Sequence, residues 1–195
     1  MHQGYTLPDQ TYQAFPTPAD LDDWLRLNHA SATELWVRIY KKASGQTSIT
    51  WDQCVVGVIT WGWIDGQKQK LDDVSYLQRI TPRRPRSNWS KRNVDHAERL
   101  IASGKMQPSG LKHVVAAKED GRWAKAYAGQ ADMVLPDDFL AELAKDPTAK
   151  AYFDTLTRSR KFAIYHRLNS AKREETRQKR MADFLDKLSR QADIS

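Results

Sequence analysis

The chain holds 195 residues, 40% apolar and 28% charged, with only eight Pro and nine Gly; this fits one domain, or one with a small second module, and excludes a collagen-like or disordered chain. No 18-residue apolar run occurs, Met1 to Phe15 is polar, and the single Cys54 excludes an internal disulfide or multi-cysteine metal site, so a cytoplasmic protein without a membrane span or export signal is expected. The net charge of +7 is unevenly placed, with +5 in residues 79–99 and +6 in residues 158–195, which suits an anionic partner or simply two solvated basic helices.

Thr17-Pro18-Ala19-Asp20 has a hydroxyl cap, a proline at the first helical position and an acid in the first turn, so a helix is predicted from here through Leu21, Trp24 and Leu25. Glu34 to Tyr40 alternates, with Leu35, Val37 and Ile39 on the face a strand would bury. Lys41 to Gly45 turns the chain. Thr50 and Gln53 form a capping box for a helix whose apolar stripe is Cys54, Val55, Val58 and Ile59. Trp61 to Gly66 reads as a short strand closed by an Asp-Gly turn, followed by a second strand over Ser75 to Thr81. These two strands and 34–40 are expected in one antiparallel sheet.

After Pro82 and Pro85 a helix is predicted from Ser90 to Gly104, with Val94, Ala97, Leu100 and Ile101 inside, and a shorter one over Ser109 to Lys118. From Leu135 the pattern is purely helical: Phe139, Leu140 and Leu143 inside one helix, Tyr152, Phe153 and Leu156 inside the next, a third over about 160–168 and a last over about 171–188. The expected fold is α+β, mostly helical: a tail (1–16), a part with a small antiparallel sheet and packed helices (17–120), a connecting segment (121–134) and a helical C-terminal module (135–190).

Most catalytic chemistry finds no support. The five histidines lie far apart, without the spacing that puts two metal ligands on one helix face, and neither a nucleophile elbow nor a phosphate loop is present. Cys54 lies on an apolar helix face and reads as an inert thiol. No metal, cofactor or catalytic residue is assigned, and the reading leans away from an enzyme.

One segment stands out chemically. Tyr76 to Asn93 is an irregular Arg/Pro stretch leading into a helix, and it gathers Arg83, Arg86, Ser87, Trp89, Ser90 and Asn93. Guanidinium forks, hydroxyls and free backbone donors suit an anion, and Trp89 could cover a ring or base. Equally, Trp89 could anchor the loop to the core while the arginines face water.

Glu34-Leu35-Trp36-Val37-Arg38, Gly62-Trp63-Ile64-Asp65-Gly66, Thr81-Pro82-Arg83 with Ser87, Trp89-Ser90 and Asn93, and Gly104-Lys105-Met106 with Gly110 resemble the YdeI/OmpD-associated family. Ala171-Lys172, Glu175-Thr176-Arg177 and Arg180 are similar to its helical C-terminal module, so the resemblance covers about 15–190. It implies a bacterial protein linked to protection against bacteriocins or antimicrobial peptides, or to stress resistance. The family's motif positions fall here on Trp63, Asp65, Arg83, Ser87, Trp89, Ser90 and Asn93, and with Arg86 these are the candidate ligand-binding residues.

Three functions compete: binding of an anionic small molecule, nucleic-acid binding by 79–99 with the last helix, and an enzyme on a small anionic substrate with Asp65 as base near Arg83. Arg83 and Arg86 are expected to be ordered by partners, and Lys179 and Lys187 to be loose. At 100° per residue Arg177 lies among Met181, Phe184, Leu185 and Leu188, so it is expected to point inward onto a carboxylate or carbonyl. Its loss would then cost on the order of 3 kcal/mol.

Overall fold

The Thr17 cap and the Thr50–Gln53 capping box read from the sequence are both formed in the computed structural model, which describes residues 12–194. Thr17 caps α1 (Pro18–Asn28), with reciprocal bonds to Asp20, and Thr50 caps α2 (Trp51–Thr60), with reciprocal bonds to Gln53. The chain divides into two compact units, residues 12–87 with 93–124 and residues 88–92 with 125–194.

The first unit carries a four-stranded sheet in the order β1-β2-β4-β3, from β1 (Tyr12–Ala14), β2 (Leu35–Tyr40), β3 (Trp63–Lys70) and β4 (Ser75–Pro82). The three expected strands pair antiparallel, but β1 adds a parallel edge beside β2. The sheet is therefore mixed, and Tyr12–Ala14 is part of it rather than of a tail. Tyr12 stands opposite Trp36, which is buried instead of facing outward. On the other face Phe15, Leu21, Leu25, Val37, Ile39, Val58, Trp63 and Ile80 form one core with α1 and α2.

The expected Asp65-Gly66 turn is not there. β3 continues past Gly66 through a register shift between Asp65 and Lys68, and the chain turns instead near Asp72, whose Oδ1 accepts from the backbone N–H groups of Val74 (2.9 Å) and Ser75 (2.6 Å). The physical reason is Gln78: buried on β4, it donates its amide to the Gly66 carbonyl at 2.9 Å and so satisfies the backbone that the irregularity exposes. α3 (Lys91–Ala102) and α4 (Pro108–Glu119) follow, each stopping before a glycine at positive φ, Gly104 and Gly121. Ile101 is on the exposed side of α3 rather than inside.

The second unit contains α5 (Asp137–Ala144), α6 (Pro147–Thr155), α7 (Arg158–Asn169) and α8 (Glu174–Ser189). Phe139, Leu143, Phe153, Ile164, Leu168, Met181, Phe184 and Leu188 form its core. Leu140 is exposed, contrary to expectation, and α8 starts three residues later than the pattern suggested. Among the described residues no helix is long and apolar enough to cross a membrane.

Arg177 does turn inward and finds a carboxylate on another helix. Its guanidinium donates bidentately to Asp138, at 2.6 and 2.7 Å, and this hydrogen bonding holds the Asp138 carboxyl below the usual carboxylate range. The Arg177 side chain keeps 19% of its exposure and Asp138 keeps 47%, so water weakens the pair and the cost of losing it is smaller than a buried ion would imply. Arg177→Ala is expected to lower stability by about 1–2 kcal/mol and Lys179→Ala by less than about 0.5. Urea unfolding curves that coincide for the two variants would contradict this.

Candidate functional site

β3 carries two of the sequence-derived candidates, and both are held by packing partners. Trp63 is 1% exposed, its indole N–H donates to the His29 carbonyl at 3.1 Å, and its ring meets Trp24 edge-on at 5.8 Å. Asp65, half-buried, accepts the indole N–H of Trp51 at 3.1 Å. Cys54 lies near it in the core; burial first, and then the Asp65 charge, push its thiol up to about 12, so it stays protonated.

Past β4 the backbone N–H of Arg83 donates to the Gly62 carbonyl at 2.9 Å and carries the chain across the start of β3. The Arg83 side chain is 4% exposed and donates to Ser87 Oγ at 3.1 Å. Arg122, from the segment after α4, donates to the Ser87 backbone carbonyl at 2.7 Å while its Nε engages Asp120. Two guanidinium groups thus converge on one serine. α4 adds His113: its Cδ2 lies where a Cβ on Gly62 would come within 2.9 Å, and Gly62 itself has φ of 79°. His113 is held below its ordinary pKa, first by burial and then by the positive charges of Arg83, Lys112 and Arg122. Arg86 is exposed and forms no ion pair among the described residues, yet its charge reaches Asp120 and helps lower that carboxyl.

The ordering expected of Arg83 is therefore found, whereas that of Arg86 is not. Lys179 is exposed as anticipated, but Lys187 is paired with Asp183 at 3.1 Å. Along α8 the basic side chains alternate with acids one turn away, and Arg190 likewise meets Asp186. Asp183 and Asp186 already count in the net charge of +6, so this pairing leaves the C-terminal segment positive.

Trp89 and Ser90 belong to the second unit, where the Trp89 carbonyl accepts from Tyr127 at 3.1 Å and Ser90 bridges to Tyr127. Trp89 is 2% exposed, and Asn93 is half-buried in the first turn of α3. Arg122 and His113 are the neighbours that the sequence reading missed. Arg122 sits in a stretch with no periodic pattern, and His113 stands alone among helical residues, so only the fold shows Arg122 on Ser87 and His113 within reach of the Arg83 and Arg122 charges. Among the described residues no three His, Cys, Asp or Glu side chains gather as a metal site requires.

Two family models match the chain. Residues 13–113 match one described as a domain of unknown function (DUF8412), and residues 132–191 match one described as "Bacteriocin-protection, YdeI or OmpD-Associated". The resemblance read from sequence over about 15–190 thus narrows to the C-terminal module, while the motifs at Gly62–Gly66 and Thr81–Asn93 fall within the first match. No curated protein and no solved structure matches the chain. With more than half of its length inside the first match, the chain belongs to the DUF8412 family, and its C-terminal part is a YdeI/OmpD-associated, bacteriocin-protection domain.

Proposed function

We propose that this protein serves in bacteriocin protection or stress resistance, in the cytoplasm, by binding a small anionic ligand beside Arg83, Arg86, Ser87, Arg122 and His113. The observation that carries this reading is the convergence of Arg83 and Arg122 on Ser87, one on its hydroxyl and one on its carbonyl. Planar guanidinium forks held by such bonds lose little freedom when an oxyanion binds. The surroundings add positive potential from Arg86 and Lys112, while Asp120 is engaged by Arg122. In this reading Trp63 and Asp65 shape the unit rather than touch the ligand.

Calorimetric titration with sulfate tests it. The wild type should bind, and Arg122→Ala should weaken binding at least about tenfold, the loss of one charge-assisted contact. Sulfate binding that Arg122→Ala leaves intact would refute the site. A DNA oligonucleotide bound more tightly than sulfate, with an affinity that fell steeply with salt, would instead favour nucleic acid.

A further inference from the structure

A cleft lies elsewhere in the first unit, made of other residues. Its volume is about 650 Å³ and it lies between the end of β2, the loop 41–50 and the start of α2. Ligand pockets commonly measure roughly 300–1,000 Å³. Trp51 and Tyr76, which pack on the Ile39 face of the sheet, line it together with Lys41, Lys42 and the backbone of Tyr40, whose ring belongs to the opposite face, and no acidic residue is among its lining.

The local structure holds these groups in place. Trp51 opens α2 beside the Thr50–Gln53 capping box, and its indole N–H is bound to Asp65, which sets the plane of the ring. Ser48 Oγ accepts the Tyr40 backbone N–H at 3.0 Å and ties the loop to the end of β2, while Gly45 makes the turn at φ of 71°. A cation already stands over one of the rings, the Lys68 ammonium 4.0 Å from the centre of Tyr76. Lys41 reaches the Asp73 carbonyl at 3.0 Å, so its charge is fixed near the rim.

Aromatic walls favour a flat ring, which stacking would hold, and lysines without an acid in the lining favour a negative group on that ring. A metal cation would be repelled, and a neutral apolar ligand would leave the lysines without a role. We infer that this cleft binds a planar ring carrying an anionic group, the chemical class of a mononucleotide, with Trp51 and Tyr76 on the ring and Lys41 and Lys42 on the anion.

The experiment is equilibrium titration of the full chain with AMP, adenosine and inorganic phosphate. AMP should bind at least about tenfold more tightly than either fragment, because only AMP engages both halves of the cleft. Lys42→Ala, at an exposed position, should weaken AMP about five- to tenfold and leave adenosine unchanged, while Trp51→Leu should weaken both. Arg122→Ala should leave AMP binding intact, which separates this cleft from the Ser87 site. AMP binding no tighter than phosphate, or unaltered by Lys42→Ala, would overturn the inference, as would an AMP affinity lost in Arg122→Ala. Should Trp51→Leu fail to fold, the Lys42→Ala comparison still decides.

Discussion

Gly110→Ala is expected to destabilise the first unit by about 2–4 kcal/mol, although alanine is the better helix former by roughly 1 kcal/mol. A Cβ at this position of α4 would lie 2.4 Å from the Thr60 carbonyl oxygen, 2.7 Å from that of Ile59 and 2.7 Å from Met106 Sδ. The first two are backbone atoms at the C-terminal end of α2, and the Thr60 carbonyl also accepts the Gln107 N–H at 3.1 Å. They cannot move aside without breaking the seam between α2 and α4. Gly57→Ala is the control: its Cβ would meet only the end of the Leu21 side chain, at 3.1 Å, so the change should stay within about 1 kcal/mol. Thermal unfolding of the two variants would decide, and equal midpoints would show that α2 and α4 do not pack as closely as described.

Trp63→Ala should cost about 3–5 kcal/mol, as expected when a large, wholly buried ring leaves a cavity. The indole is enclosed between β3 and α1, edge-on to Trp24, and its N–H satisfies the carbonyl of His29 after the last turn of α1. Removing it empties the core and also orphans a buried acceptor. Trp63→Phe keeps most of the volume but not the hydrogen bond, and should cost less than half as much. If Trp63→Ala unfolds in urea like the wild type but loses ligand affinity, the residue belongs to a site and not to the core.

Where local chemistry decides the structure, the sequence is a good guide. Thr17 with Asp20, and Thr50 with Gln53, satisfy their helix ends within four residues, so the caps are legible without knowing the fold. Arg177 was readable because one charged residue interrupts an apolar stripe and must find a partner, though the helical angle could not name Asp138, 39 residues away. Asp65-Gly66 misleads because a buried glutamine on the neighbouring strand overrides the local turn preference. β1 escapes notice because three residues carry too little alternation to announce a strand, and its pairing with β2 crosses 24 positions. Of the candidate site, Arg83 and Ser87 could be read as a pair four residues apart in an irregular loop. Arg122 joins them across 35 residues, and nothing in its own neighbourhood signals the contact.

Nuclear magnetic resonance of the His113 imidazole, titrated with and without saturating sulfate, tests the anion site most directly. Sulfate keeps its charge through the pH range of a histidine, so only the protein titrates. Without ligand, burial and the charges of Arg83, Lys112 and Arg122 hold His113 below 6.5. A bound dianion opposes those charges and favours the protonated ring, so the His113 pKa should rise, and by linkage sulfate should bind more tightly as pH falls through the range in which His113 takes up its proton. His166, in the second unit and lowered by burial and by Arg180, should keep its pKa. An unchanged His113 at saturating sulfate, or an equal shift at His166, would contradict an anion site beside Ser87.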